Sequence, residues 1–380
     1  MKQLAKFSGF VACLFLVLFF VAAGSCPVMA GDKDCESDKW KDHPICADDP
    51  DPVEGPNHAL AINGYEKGLD LYVVDVDGGN PTRVVRRASG HPAPAGATVW
   101  SPDGTRIIWS DLSYQNLQMV NVDGSNRQEI LTRTEEMTPY IGGQRNLAPS
   151  GYDCPDNNLD EPEPANLLYF LGLAMDESFD NIFEDSWEDF YYIDLDNPSI
   201  PPVQLTDNPS ERHTTLDVSP DGQLIATWTW PSESGYYNPD VPDGRLEIRD
   251  ACTYGLPVIE SWTAEQLGQL PGYQFFARID WSSKDILAIS GHSSTPGLPE
   301  DIYLIDLSAP EAVKIIGSGM NFGADVDNRR ATWSPDGTLL AFTSDHDVYI
   351  YNFITNVYTR IAGFKTNRDI DWRPTWEAVP

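Results

Sequence analysis

"ATWSPDGTLLAFTSDHDVYIYNF", Ala331 to Phe353, reads as a strand, a turn, a second strand, another turn and a third strand. Ser334-Pro335-Asp336-Gly337 is a tight turn, because Pro fixes φ at its second position and Gly accepts the conformation that closes it. The strands beside such turns alternate, as in "TLLAFTS" and "TRIIWSD", which is the period of a half-buried strand. The unit recurs as "ATVWSPDGTRIIWS" at Ala97–Ser110 and as "VSPDG" at Val218–Gly222. A decayed "WSSKD" stands at Trp281–Asp285, and a truncated "DWRP" at Asp371–Pro374.

Two more strands complete each unit. One ends in Asp or Asn and a turn ("DLYVVDVDGG", "LQMVNVDGS", "FYYIDLDNP", "IYLIDLSAP", "VYIYNFITN"), and another follows it ("TRVVRRA", "RQEILTR", "PVQLTD", "AVKIIGS", "YTRIAGF"). Four short strands repeated roughly every 40 to 60 residues are the pattern of a β-propeller blade. These units resemble the WD40-like PD40 repeats of the periplasmic TolB family, over about residues 57–376. The resemblance implies an all-β propeller and an envelope partner, since TolB-family propellers work with peptidoglycan-associated lipoprotein. TolB itself carries a separate α/β domain ahead of its propeller. Here residues 31–56 alone lie between the leader and the repeats, so the resemblance is to the propeller.

The two ends of the repeat region complement one another. The first repeat, His58–Ala88, has three strands but no S-P-D-G strand before them, whereas "RDIDWRP" (Arg368–Pro374) supplies that innermost strand and nothing after it. The C-terminal strand is therefore expected to complete the first blade, closing a six-bladed ring without exposed end strands. The other blades fall at 97–133, 139–208, 213–262, 276–317 and 329–363. Blade three is irregular: no innermost strand is evident in "PYIGGQRNLAPSGYDCPDN", and the acidic "AMDESFDNIFEDSWEDF" (Ala174–Phe190) interrupts it. Thr263–Leu270 is predicted as a short helix, with Thr263 and Gln266 forming a capping box.

Acidic residues number 58 against 25 basic ones, a formal charge of −33. Such a field repels nucleic acids and anionic lipid, and no basic patch offsets it. Lys2 and Lys6 followed by an apolar run, Gly9–Ala23, mark residues 1–30 as a signal peptide. Cleavage after "VMA" frees Gly31; alternatively "AGSC" is a lipobox, residues 1–25 are removed and Cys26 carries lipid. Export follows either way, to the periplasm or cell surface, with any membrane attachment through that lipid. Cys35, Cys46, Cys154 and Cys252 are an even set, as disulfides in an oxidising compartment require. Of three pairings, one joins Cys35 to Cys46 and Cys154 to Cys252. Residues 31–56 form an acidic, Pro-rich tether and 57–380 the propeller, expected to be monomeric.

No catalytic constellation is present: neither G-x-S-x-G nor H-E-x-x-H occurs, and no catalytic residue is assigned. The alternative is a propeller-type polysaccharide lyase holding a metal through histidines in the funnel, where His91, His213 and His292 lie near loops feeding inner strands. Calcium is the one cofactor considered, with Asp153, Asp156 and Asp160 in "DCPDNNLDEPE" supplying oxygen ligands.

The inner strands carry the candidate site. Aligned at Trp100, Val218, Trp281, Trp333 and Trp372, the preceding position holds Val99, Asp217, Asp280, Thr332 and Asp371. Three residues before the aligned position stand Ala97, Thr215, Arg278, Arg330 and Asp369, on the same strand face by the period of two. Arg212, His213, Arg329 and Arg368 extend the set. Two readings apply. Each Arg pairs with an Asp between blades, or some guanidinium groups stay accessible and bind a carboxylate of a peptide or sugar. The funnel residues assigned to a protein, peptide or glycan partner are Arg212, His213, Asp217, Arg278, Asp280, Arg330, Arg368 and Asp371.

Overall fold

The computed structural model describes residues 58–374 except 65–69, 87–93, 112–115, 133–136, 140–146, 154–162, 176–185, 209, 232–243, 269–272, 294–298, 317–326 and 367–368. Six antiparallel sheets follow one another along the chain. Blade 1 holds β1 (His58–Asn63), β2 (Leu71–Asp75) and β3 (Thr82–Val85). Blade 2 is β4 (Pro94–Trp100), β5 (Arg106–Asp111), β6 (Asn116–Asn121) and β7 (Gln128–Thr132). Blade 3 comprises β8 (Met137–Pro139), β9 (Leu147–Asp153), β10 (Glu163–Met175), β11 (Ser186–Asp194) and β12 (Val203–Gln204). Blade 4 is β13 (Glu211–Val218), β14 (Leu224–Pro231), β15 (Arg245–Asp250) and β16 (Val258–Thr263). Blade 5 runs through β17 (Tyr273–Trp281), β18 (Ile286–Ser293), β19 (Asp301–Asp306) and β20 (Ala312–Ile316). Blade 6 contains β21 (Asn328–Trp333), β22 (Leu339–Ser344), β23 (Asp347–Asn352) and β24 (Val357–Lys365). The last strand, β25 (Ile370–Trp372), returns to pair with β1 at Leu60↔Trp372 and Ile62↔Ile370. The ring closes as the sequence predicts.

The apolar core is divided as the blades are. Val99, Ile108 and Leu117 of blade 2 pack with Leu168 and Phe170 of blade 3. Trp228 and Ile248 of blade 4 pack with Ile289 and Tyr303 of blade 5, and the other seams are built likewise. No blade buries both faces by itself, so each is stable only between neighbours.

The S-P-D-G turn has a repeated internal bonding scheme. Ser101, Ser219 and Ser334 each donate from Oγ to the Asp two residues on, at 2.5, 2.6 and 2.6 Å. The same Oγ accepts the backbone N–H five residues on, at 2.9 Å in each copy. The turn glycines Gly104, Gly222 and Gly337 have φ of +63°, +74° and +63°. In the decayed copy Asp285 takes that left-handed place, with φ +57°, which Asp tolerates better than most side chains.

Two expectations need correction. Blade 3 does have an innermost strand, in two pieces: β8 pairs with β10 at Gly172–Ala174 and β9 pairs with it at Glu163–Phe170. Its β9 half reads "LAPSGYD", without the S-P-D-G signature, which is why the sequence conceals it. The capping box of Thr263 and Gln266 forms, with bonds of 2.8 and 3.3 Å, but it encloses a single turn rather than a helix. Gly268, at φ +81°, ends that turn.

Candidate functional site: the propeller channel

The aspartates one place before the aligned aromatics are ties between blades. Asp217 of blade 4 accepts the backbone N–H of Trp281 of blade 5 at 2.6 Å. Asp280 of blade 5 accepts that of Trp333 of blade 6 at 2.6 Å. Asp371, on the closing strand, accepts that of Trp100 of blade 2 at 3.0 Å and the Thr332 hydroxyl of blade 6 at 3.2 Å. Asp369 accepts the Thr98 N–H of blade 2 at 3.2 Å. These N–H groups lie on the innermost strand edges, where no further strand pairs, so a neighbour's carboxylate satisfies them.

Arg278 crosses from blade 5 to blade 1 and is 1% exposed. Its Nη1 donates to Asp369 at 2.5 Å and to the Arg330 carbonyl of blade 6 at 3.3 Å. Its Nη2 lies 3.6 Å from both Asp280 and Asp371. One guanidinium therefore ties three blades together. Arg278 thus meets Asp369 and Asp371 across blades, whereas Asp217 and Asp280 tie blades through backbone N–H groups.

Arg212 and His213 lie elsewhere, in the seam between blades 3 and 4. The His213 ring is 1% exposed, 4.5 Å from the Phe190 ring centroid, with Nδ1 3.1 Å from Thr229 Oγ1. Burial, and then the Arg249 charge, hold its pKa well below 6.5, so the ring is neutral. A ring so enclosed is poorly placed to reach a metal in the channel. His91, Arg368, Asp156 and Asp160 lie outside the described residues, as do the side chains of His292 and Asp153. Among the described residues, no cluster of three or more His, Cys, Asp or Glu is arranged to hold a metal.

The seam contains a buried charge network that strand periodicity did not reveal. Arg249 donates to Glu247 at 2.5 Å and to Glu211 at 2.6 Å, and Thr229 also donates to Glu247, at 2.9 Å. Glu188 of β11 is buried beside Arg212, and its Oε2 has no hydrogen-bond partner among the described residues. Burial pushes its carboxyl up to about 7, against the pull of Arg212 and the His213 backbone N–H. The native state then holds a proton that the unfolded chain releases near 4.5. The Glu188 contribution is full below that value and is lost as pH rises toward 7. Glu188→Gln is therefore expected to gain roughly 2–3 kcal/mol relative to wild type between pH 5 and pH 8, read by urea unfolding at each pH. A constant difference across that range would show that the group does not titrate there.

At the downstream ends of the inner strands the turns converge on a cavity of about 300 Å³. Pro102, Pro149, Pro220, Pro335 and Pro374 form a collar, with Ser283 replacing Pro in blade 5. Trp281, Trp333 and Trp372 line the walls with Asp217, Asp280 and Asp371. The buried Trp333 Nε1–H has no acceptor among the described residues. Such a pocket, apolar with a few fixed polar groups, is the usual form of a binding site. Three of the five collar prolines, Pro102, Pro220 and Pro335, are legible in the sequence as the repeated Ser-Pro.

Upstream, Arg330 behaves differently from Arg278. The β21–β22 register shifts between Arg329 and Thr332, and Arg330 has φ +58°. Its N–H donates to Ser290 Oγ at 3.0 Å, but no hydrogen bond or ion pair to a described residue holds its guanidinium. Burial lowers its pKa to about 10, with Asp369 acting to raise it and Arg329 and Arg278 to lower it.

The fold and this channel define a six-bladed β-propeller whose first blade is completed by the C-terminal strand. Among solved structures it is similar to TolB from Acinetobacter baumannii, at a TM-score of 0.50 and 13% identity over 83% of this chain. The match spans 66% of the TolB chain, and at that identity the likeness is one of fold. An oligogalacturonate lyase from Vibrio parahaemolyticus aligns at TM-score 0.45 and 11% identity, over 80% of this chain and 79% of the lyase. A chain of a nidogen–laminin complex aligns at 0.49 and 11%, over 83% and 98% of the two chains. No family model matches the chain, and no curated protein sequence does.

Proposed function

We propose that this protein is an exported, non-catalytic propeller that seats a protein, peptide or glycan partner of the cell envelope in its channel. The observation that carries the reading is the Pro- and Trp-lined cavity, whose apolar walls carry the fixed carboxylates of Asp217, Asp280 and Asp371. Export is supported by the leader at residues 1–30 and by Cys252, which is disulfide-bonded. In this reading residues 31–56 tether the ring, Cys26 is the attachment point if lipid is added, and the ring acts as a monomer.

Ser283→Trp places bulk in the cavity at the one blade whose collar position is not Pro. Crosslinking in intact cells, followed by purification, is expected to recover a partner with the wild type and not with Ser283→Trp, both melting alike. Equal recovery would exclude the cavity as the seat.

A further inference from the structure

We propose that Arg330 anchors a second site, upstream of the cavity, that binds the free C-terminal carboxylate of a peptide. Arg330 stands at a bulge with φ +58°, a conformation that suits glycine and strains other residues. Its backbone is pinned on both sides, by Ser290 Oγ and by Arg278 Nη1. Glycine would make both bonds without strain, so the backbone gives no reason for an arginine.

The neighbouring cations are occupied. Arg278 is bonded to Asp369 at 2.5 Å, and Arg329 meets Glu300 at 2.9 Å and Asp327 at 2.7 Å. Arg330 is partly exposed as a residue, and no described residue supplies its guanidinium with a hydrogen bond or ion pair. Its planar fork of donors matches a carboxylate in two parallel bonds.

Charge narrows the ligand. A chain of formal charge −33 repels polyanions, and the charges of Asp369 and Glu300 already act on this guanidinium. One carboxylate on a neutral or basic body fits both conditions, as a peptide C-terminus does. The inference goes beyond the cavity reading, because Arg330 does not line the cavity and Ser283→Trp leaves this site intact.

The test treats the full chain with phenylglyoxal, which modifies accessible arginines, and maps the products by mass spectrometry. Arg330 is expected to react well before Arg278 and Arg329. Trialanine is expected to slow that reaction about tenfold, while trialanine amide does not. Arg330→Gly should be at least as stable as wild type and show no preference for trialanine over its amide in calorimetric titration. Four results would each overturn the proposal. These are Arg330 reacting no faster than its neighbours, acid and amide protecting equally, inorganic phosphate protecting where trialanine does not, and a Gly variant less stable than wild type.

Discussion

Arg278→Met is expected to lower the unfolding free energy by about 3–5 kcal/mol, the usual cost of removing one partner from a buried ionic cluster. The cost comes from what the substitution leaves behind. Asp369, Asp280 and Asp371 are all within 3.6 Å of the guanidinium and buried, and without it the three carboxylates lose the cation placed among them. Methionine restores much of the volume, so packing loss is the smaller part. A double-mutant cycle separates the two contributions: Arg278→Met combined with Asp369→Asn should recover part of the loss, because it removes one stranded carboxylate. Equilibrium unfolding in guanidinium chloride reads all four proteins. A loss below about 1 kcal/mol for the single variant, within the range of an exposed ion pair, would mean that Arg278 is no cross-tie.

The second large effect belongs to the closing strand. Asp371→Ala should cost about 2–4 kcal/mol, since it orphans the buried Trp100 N–H and the Thr332 hydroxyl together. Asp217→Ala and Asp280→Ala each orphan a comparable N–H, of Trp281 and Trp333. Their consequences should differ in kind. Asp217 and Asp280 join blades that are also continuous along the chain, so their loss loosens one seam. Asp371 sits on β25, the three-residue strand whose pairing with β1 closes the ring. Hydrogen exchange of the paired β1 and β25 amides is expected to accelerate strongly in Asp371→Ala and little in the other two. Similar exchange in all three would deny the junction any special weakness.

The sequence displays the ring because blade construction is local. A Ser-Pro-Asp-Gly turn and its alternating strands state their structure within a few dozen residues, and the complementary ends of the repeat follow from them. Blade 3 shows the limit: "LAPSGYD" folds as part of an inner strand because β10 needs a partner, a cause that lies outside that stretch. The candidate site was only partly legible. Position along the inner strands found Asp217, Arg278, Asp280 and Asp371, yet it gave no way to tell a tie from a ligand contact. The bulges between His213 and Leu216 and between Arg329 and Thr332 break the period of two that the alignment assumed. Arg212 and His213 consequently enter a seam, while Arg330 has no side-chain partner among the described residues beside an occupied Arg278. Glu188 and Arg249 sit on the middle strands of their blades, where only tertiary contact reveals that each is a buried charged group.

The pairing of β1 with β25 also sets an order of events during synthesis. Ile62 emerges from the ribosome early and must wait for Ile370, its partner across the sheet, until almost the whole propeller has been made. During that interval β1 is an open, apolar strand edge, the kind that recruits foreign strands. Blades 2 to 6 can form in succession as they appear, but the first blade can be finished only by the last strand. Proteolysis or truncation that removes residues 369–372 should therefore damage the oldest part of the nascent chain and the newest at once.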